Sequence, residues 1–300
     1  TPRRVASKGL TEVLRQHPTI PKRFLQEAKA ASLLATPHAV KVEATGDLAD
    51  GTPFIVRDDL DGGDLATSGR GGGGRLPVER VLCLADQIAA ALQDAHARGV
   101  LHRDLKPENV FVIPSPSGEF VKVVDFGISK ILAPGSAVKI TVTGTTVGTP
   151  QYMPMEQLRG VKDLDGRVDV YALGILLYEM LAGARPYDGF SYEQVIMKVA
   201  TTTAAPLSSI RQDLPPGLSE LVARAMARER GQRLQSMEQL RLEMRPFWSG
   251  RSPAPLRSEP PQHSPVPAPY ASQGPMSPGA VPAPLYPQPL PSSNHAASPP

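Results

Sequence analysis

The sequence predicts an α+β fold followed by a disordered tail, and three patterns support this prediction. Short runs rich in β-branched and aromatic residues, typical of strands, occur at residues 39–42, 54–56 and 121–124. Longer runs with a helical spacing of apolar residues occur at residues 77–99, 168–182, 191–199 and 218–244. Proline then becomes frequent, because 16 of the 33 prolines lie after residue 250.

The composition limits the classes of function. The 300 residues are enough to bury a large core, and the net charge of +3 comes from basic residues dispersed among acidic ones, so nucleic acid is not expected as a partner. The single cysteine, Cys83, cannot form a disulfide within the chain and fits a reducing compartment, which favours the cytoplasm or the cytoplasmic part of a longer membrane-anchored protein. No signal peptide or membrane span is predicted, because Asp169 and Glu179 interrupt the most apolar run.

The first elements are a strand pattern at residues 3–8 and a helical pattern that begins near Thr19. Four residues of this helix are expected to share one face: Phe24, Glu27, Ala31 and Leu34. Glu27 therefore points the same way as apolar residues, and a carboxylate directed inward needs a partner.

The later helices are defined by their apolar spacing. The run at 77–99 is amphipathic and predicts a long helix, whereas the run at 168–182 is apolar nearly all round and predicts a buried one. Asp169 lies on that buried helix, so its charge must be satisfied by hydrogen bonds. His96 and His102 have no partners at metal-binding spacing, which favours packed histidines over a metal site.

Residues 101–109 contain the pattern His-Arg-Asp-Leu-x-x-x-Asn, and sixteen residues after Asn109 comes Asp125-Phe126-Gly127. Either pattern alone is weak evidence, since an isolated Asp-x-x-x-x-Asn is usually a solvated turn. Together, with the strand-like run at 121–124 leading into Asp125, they indicate a reactive site. On these residues the chain resembles the eukaryotic-like serine/threonine protein kinases of bacteria, from about Arg3 to Trp248.

The resemblance implies ATP as the phosphate donor, Mg²⁺ as the metal and proteins with serine or threonine as substrates. In the family, the residue at Asp104 accepts the proton of the substrate hydroxyl and the residue at Lys106 contacts the γ-phosphate. The residues at Asn109 and Asp125 hold Mg²⁺, which prefers such oxygen ligands.

The nucleotide site is implied by the same resemblance. Lys8 corresponds to the lysine that contacts the α- and β-phosphates, and Glu27 to the glutamate that orients it. Asp58 and Leu60 correspond to the hinge residues whose backbone groups pair with adenine.

Two features of the nucleotide site depart from the family pattern. The glycine-rich hairpin that covers the ATP phosphates has no counterpart before Lys8, and the glycine run at 69–74 comes too late in the chain to replace it. Arg57 occupies the position behind the adenine pocket, where family members usually have an apolar or small residue. An arginine there needs an ion-pair partner, for which Asp59 is a candidate, or it narrows the pocket.

The segment after Gly127 carries the expected regulatory residues. Arg103 precedes Asp104, and in kinases with this pairing a phosphorylated loop residue binds the arginine. We therefore predict autophosphorylation on one or more of Thr141, Thr143 and Thr145. Thr149 matches the family position that contacts the substrate and the catalytic aspartate.

Three residues are expected to have structural roles. Glu156 ends the segment, in the triplet Pro154-Met155-Glu156 where the family has Ala-Pro-Glu, and Arg233 is its expected ion-pair partner. Asp169 corresponds to the aspartate that accepts hydrogen bonds from the backbone of the catalytic loop.

The resemblance implies a bilobal protein-kinase fold at residues 1–248, with an incomplete small lobe at 1–57, a hinge at 58–65 and an α-rich large lobe at 66–248. Residues 249–300 are predicted to be a disordered, proline-rich tail, which is a spacer or carries docking motifs for partners.

The leading hypothesis is a serine/threonine kinase regulated by autophosphorylation. Two alternatives stay open. One is a catalytically impaired, kinase-like interaction module, because the hairpin is missing and Arg57 is unusual. The other is an incomplete fragment of a kinase whose start lies upstream of Thr1.

Overall fold

The computed structural model describes residues 4–10, 12–16, 20–68, 74–116, 118–126 and 149–248, apart from the side chains of residues 12, 13, 23, 26, 27, 30 and 68. The predicted phosphorylation sites and the predicted tail lie outside the described residues. So does most of the glycine run at 69–74.

The first lobe, within the described residues, contains an antiparallel sheet in the order β1-β3-β2. Its strands are β1 (Val5–Gly9), β2 (Val42–Asp47) and β3 (Pro53–Asp58). Two helices, α1 (Glu12–Arg15) and α2 (Ile20–Ala31), lie between β1 and β2 in the chain. The central position of β3 fixes its backbone from both sides.

Helix α2 packs on this sheet through residues spaced four apart. Ile20, Phe24 and Ala28 are at most 5% exposed and cluster with β3. Of the four residues predicted to share one face, Phe24 belongs to this stripe, Ala31 does not, and Leu34 lies beyond the end of the helix at Ala31, while the side chain of Glu27 is outside the described residues. Ala31 and Leu34 pack against the core of the second lobe. The helix therefore contacts both lobes.

The second lobe combines a small antiparallel sheet with a helical bundle. The sheet has the order β4-β5-β6, with strands Gly63–Asp64, Val110–Ser115 and Gly118–Val123. The helices are α3 (Leu65–Ser68), α4 (Val78–Ala97), α5 (Met155–Leu158), α6 (Arg167–Ala182), α7 (Tyr192–Thr201), α8 (Leu207–Ile210), α9 (Leu218–Ala225) and α10 (Met237–Met244). Single 3₁₀ turns occur at Pro107–Asn109, Pro150–Tyr152 and Arg245–Phe247. The predicted two-lobed α+β fold is confirmed.

Helices α4 and α6 belong to the centre of the second lobe. All residues of α6 except Arg167 and Glu179 are buried, as expected for a helix that is apolar nearly all round. Gly174 lets α9 approach α6, because a Cβ at this position would lie 2.9 Å from Ala225 Cβ. Among the described residues, no helix combines the length and apolarity needed to span a bilayer.

The structure corrects two predicted elements. The strand expected at 39–42 begins only at Val42, while Ala39 forms an isolated parallel bridge with Val123. The helical run expected at 218–244 is broken between α9 and α10, because the chain there turns inward to bury Arg233. Ser236 then starts α10 by accepting a hydrogen bond from the backbone N–H of Gln239 at 3.0 Å.

Candidate functional site

The loop between α4 and β5 is held in shape by Asp169 of α6. Asp169 is fully buried, and its Oδ1 accepts the N–H of Arg103 at 2.8 Å while its Oδ2 accepts the N–H of His102 at 2.9 Å. Nε2 of His96 lies 2.7 Å from the same Oδ2. Burial acts to raise the pKa of Asp169, but the hydrogen bonds from His96 and Arg103 outweigh it, so the pKa lies below its ordinary value. The buried carboxylate is therefore ionised and can anchor the loop.

Arg103 adopts a backbone conformation that is uncommon for a residue with a side chain. Its φ is 64°, in the left-handed region, which costs about 1–3 kcal/mol unless the surroundings hold it. Asp169 holds its N–H, and Nε2 of Gln157 donates to its carbonyl at 2.6 Å. The bend at Arg103 sets the direction of the chain at Asp104.

His102 fixes the backbone of Asp104. Nε2 of the buried His102 ring lies 2.9 Å from the carbonyl of Val124, which can only accept, so Nε2 carries the proton. Nδ1 is then an acceptor, and it receives the N–H of Asp104 at 3.3 Å. The same tautomer therefore links the loop to the end of β6.

Gly166, directly before α6, leaves the space that His96 needs. A Cβ at Gly166 would lie 2.7 Å from Nδ1 of His96, while its φ of −56° is open to any residue. We expect Gly166→Ala to push His96 away from Asp169 and to lower the free energy of unfolding by about 1–3 kcal/mol, measured by urea denaturation. Gly231→Ala is the matched control, because nothing lies within 4 Å of a Cβ built there. Equal losses in the two variants would contradict the steric explanation.

The loop brings together three of the predicted site residues. Lys106 Nζ lies 3.0 Å from Asp104 Oδ2, and Asn109 Nδ2 lies 2.7 Å from the Asp104 carbonyl and 3.3 Å from Oδ2. The Asp104 side chain keeps 20% of its surface exposed, so an incoming hydroxyl can reach it. Since Asn109 uses Nδ2 as the donor, its Oδ1 is left to accept a hydrogen bond or bind a cation.

Asp125 follows Val124, the residue that joins the end of β6 to this loop. The N–H of Val124 donates to the carbonyl of Asn109 at 3.0 Å, which places Asp125 at the same end of the loop as Asn109. Lys8 Nζ lies 2.7 Å from Asp125 Oδ2, and Arg57 Nη1 lies 3.3 Å from Oδ1. Two cations from the first lobe therefore hold one carboxylate of the second lobe.

Of two expectations for the nucleotide site, one is wrong and the other stays untested. Asp59, the candidate partner of Arg57, pairs instead with Arg4 at 3.1 Å, so that pairing is wrong. Glu27 lies in α2, but its side chain is outside the described residues, so the expected contact between Glu27 and Lys8 stays a prediction.

The oxygen donors of Asn109 and Asp125 fit a magnesium ion. Mg²⁺ in phosphoryl-transfer sites usually takes one or two protein carboxylates, with substrate phosphates and water completing its shell. The described part of the chain has no cluster of three or more His, Cys, Asp or Glu residues that could enclose a metal. A metal held here would therefore rely on the nucleotide for its remaining ligands.

The predicted hinge contains the connection between the sheets of the two lobes. Strand β3 ends at Asp58 and β4 begins at Gly63. The N–H of Asp58 donates to the carbonyl of Lys41 at 3.3 Å, and the carbonyl of Leu60 accepts the N–H of Gly62 at 3.1 Å. Adenine pairing by Asp58 and Leu60 stays a prediction.

Thr149 is linked through Lys106 to the loop that carries Asp104. Lys106 Nζ lies 3.5 Å from Thr149 Oγ1 and also contacts Asp104, so the expected contact between Thr149 and the aspartate runs through this lysine. Among the residues that the structure describes, no carboxylate forms an ion pair with the Arg103 side chain. The expected binding of a phosphorylated residue by Arg103 stays a prediction, because residues 127–148 lie outside the described residues.

Glu156 and Arg233 form an ion pair deep in the second lobe. Sequence analysis expected the two side chains to meet, and Arg233 Nη1 lies 2.7 Å from Glu156 Oε1. Arg233 is 2% exposed and Glu156 8% exposed. The guanidinium also donates to three backbone carbonyls, those of Arg167, Ala227 and Arg228. The buried charge is therefore fully satisfied, as such a charge must be.

Several contacts of this site were not predicted from the sequence, among them those of His96 with Asp169 and of Arg57 and Lys8 with Asp125. These three contacts join residues more than 60 positions apart. The unusual charge of Arg57 was a usable signal, but it did not identify the partner. For His96 no local pattern pointed to Asp169.

Comparison with known proteins finds one family. The family described as "Protein kinase domain" matches residues 1–243. Serine/threonine-protein kinase pkn3 of Myxococcus xanthus is 38% identical over 226 residues, which are 74% of this chain and 41% of the relative. Serine/threonine-protein kinase PknB of Mycobacterium leprae is 34% identical over 254 residues, which are 84% of this chain and 40% of the relative. The chain thus spans less than half the length of these two relatives.

Solved structures show the same likeness. The crystal structure of the Mycobacterium tuberculosis PknI kinase domain matches with a TM-score of 0.61 at 29% identity, covering 81% of this chain and 86% of that one.

Proposed function

Because the chain belongs to the protein kinase family, we propose that it transfers the γ-phosphate of ATP to serine and threonine hydroxyls of protein substrates. The observation that carries this proposal is the arrangement around Asp104. The side chains of Lys106 and Asn109 each lie within 3.3 Å of its carboxylate, and Asp125 comes from the adjoining end of β6.

In this mechanism each residue of the loop has one task. Asp104 accepts the proton of the substrate hydroxyl as the hydroxyl attacks, a role usually worth about 10²–10⁴ in rate. Lys106 lies beside Asp104 and offsets the charge of the γ-phosphate there. Mg²⁺ held by Asn109 and Asp125 would neutralise charge on the phosphate oxygens.

The first lobe is proposed to bind the rest of the nucleotide. Lys8 moves from Asp125 to the α- and β-phosphates when ATP binds, and Glu27 orients it. The backbone groups of Asp58 and Leu60 pair with adenine. A cytoplasmic location is part of this proposal, because it supplies ATP and suits a chain with one cysteine. The tail at 249–300 serves as a spacer or docks partners.

A second function, a kinase-shaped interaction module without catalysis, is favoured by one observation. Both carboxylate oxygens of Asp125 already face a cation, Lys8 or Arg57.

A nucleotide thermal-shift measurement separates the two functions. We expect ATP to raise Tm by several degrees more with Mg²⁺ than with EDTA, because the metal links nucleotide to Asn109 and Asp125. A Tm that does not respond to Mg²⁺, together with no phosphate transfer to a serine/threonine peptide, would favour the module.

Autophosphorylation of the segment that precedes Thr149 is the proposed form of regulation. A phosphate there brings about two negative charges, which the guanidinium of Arg103 can bind with charge-assisted hydrogen bonds. We expect mass spectrometry after incubation with ATP and Mg²⁺ to find phosphate on one or more of Thr141, Thr143 and Thr145. The Asp104→Asn variant, treated identically, is the control. Active protein without phosphate between residues 135 and 150 would remove this proposal.

A further inference from the structure

Arg57 is bound to the carboxylate that the proposed reaction needs for its metal. Arg57 Nη1 lies 3.3 Å from Oδ1 of Asp125, while Lys8 Nζ lies 2.7 Å from Oδ2, so each carboxylate oxygen faces one cation. We propose that Arg57 competes with the divalent cation for Oδ1 of Asp125 and so raises the metal concentration that the site requires. This inference rests on the proposed function, because the metal acts there as the partner of ATP.

The fold leaves Arg57 little freedom to avoid this contact. Arg57 lies on the central strand of the first-lobe sheet, opposite Ala6 of β1 and Val42 of β2. Its backbone is therefore fixed from both sides, and its side chain reaches across to Asp125 in the second lobe. Asp59, the first acidic residue after β3, is paired with Arg4.

The competition follows from charge and from hydrogen bonding. A metal that binds Oδ1 of Asp125 shares this oxygen with the hydrogen bond from Arg57, and the guanidinium then lies next to a doubly charged ion. The side chains of Arg57 and Asp125 are each only 24% exposed, so water and salt screen this repulsion incompletely. Among the described residues, no lysine or arginine forms a hydrogen bond with the side chain of Asn109, the second proposed metal ligand.

Lys8 differs from Arg57 because the nucleotide offers it an alternative binding partner. The phosphates of the nucleotide attract Lys8 away from Asp125, because this lysine is the proposed contact for the α- and β-phosphates. Arg57 is proposed to stay at Asp125, so that its competition with the metal persists when the nucleotide is bound.

The test measures metal binding directly, without turnover. Mn²⁺, which electron paramagnetic resonance detects, is titrated into the full chain saturated with a non-hydrolysable ATP analogue. We expect Arg57→Met and Arg57→Gln to bind Mn²⁺ roughly three- to ten-fold more tightly than the unaltered protein, because one nearby positive charge is removed. Arg57→Lys keeps the charge and is expected to stay within about two-fold of the unaltered protein.

The matched control is Arg15→Met. Arg15 also belongs to the first lobe and pairs with an aspartate, Asp50, at 2.9 Å, but this pair lies beyond the opposite end of β3. We expect no change in Mn²⁺ affinity for this variant. Adenosine binding is measured in parallel, because it involves neither metal nor phosphate, and a residue that only narrowed the pocket would alter it.

Three outcomes would overturn the inference. The first is that the Mn²⁺ affinity does not increase in Arg57→Met and Arg57→Gln. The second is that the Mn²⁺ affinity of Arg57→Lys increases as much as that of Arg57→Met. The third is that a change in adenosine affinity accounts for the whole change in Mn²⁺ affinity. Failure of the proposed function has a different signature. The unaltered protein would then transfer no phosphate even at saturating Mn²⁺, while the affinity difference between variants would persist.

Discussion

Replacing Asp104 with Asn is expected to lower the rate of phosphate transfer by about 10²–10⁴-fold. The amide has the shape of the carboxylate but cannot take the proton of the substrate hydroxyl. The fold of the loop is expected to persist, because its contacts with His102 and its strongest contact with Asn109 use the backbone N–H and carbonyl of Asp104. The rate is measured with radiolabelled ATP and a serine/threonine peptide at saturating Mg²⁺.

Asp213→Asn is the matched control for this substitution. Asp213 also pairs with a basic residue two positions away, Arg211 at 2.8 Å, but its side chain is 68% exposed and far along the chain from the loop. We expect its activity to stay within about two-fold of the unaltered protein, since surface ion pairs contribute little. An Asp104→Asn variant that keeps more than a tenth of the activity would refute the role of Asp104 as the base.

Replacing Arg233 with Met is expected to lower the free energy of unfolding by about 3–5 kcal/mol. The substitution leaves the carboxylate of Glu156, only 8% exposed, without its partner in the interior. It also leaves three backbone carbonyls without the donor they now have. Urea denaturation measures the loss, with circular dichroism confirming that the variant folds before denaturant is added.

Two further variants show whether the loss comes from the buried charge. The double variant Glu156→Leu with Arg233→Met removes both charges, and we expect it to be more stable than Arg233→Met alone, because apolar pairs often replace buried ion pairs without loss. Arg224→Met breaks the pair with Glu243, in which the arginine side chain is 50% exposed, and is expected to lose at most about 1 kcal/mol. Similar losses for Arg224→Met and Arg233→Met would contradict the clamp.

Local patterns predicted the longer helices of the described residues, although α9 and α10 were predicted as one run. The amphipathic run at 77–99 corresponds to α4 (Val78–Ala97), and Gly99, with φ of 72°, lies just past its end. The apolar run at 168–182 corresponds to α6. These elements were predictable because helical spacing of apolar residues records burial on one face or on all faces.

Prediction failed where packing between distant segments decides the structure. The polar stretch between α9 and α10 interrupts a spacing that otherwise continues to Met244, and it does so because Arg233 must reach Glu156. Likewise, the predicted limits of β2, a polar strand at the edge of its sheet, were wrong. This strand is defined by its pairing with β3 and not by its own apolar content.

The sequence by itself determined the chemistry available: an aspartate, a lysine and an asparagine at fixed short spacing, and a second aspartate after a strand. Residues this close along a chain have few ways to be placed relative to one another. Glu156 and Arg233 were paired in advance, but only the tertiary structure decided two other pairs, joining Arg57 to Asp125 and not to Asp59, and His96 to Asp169. The physical reason is that a charged side chain can pair with any opposite charge within reach, and reach between distant residues is set by how the lobes and helices pack.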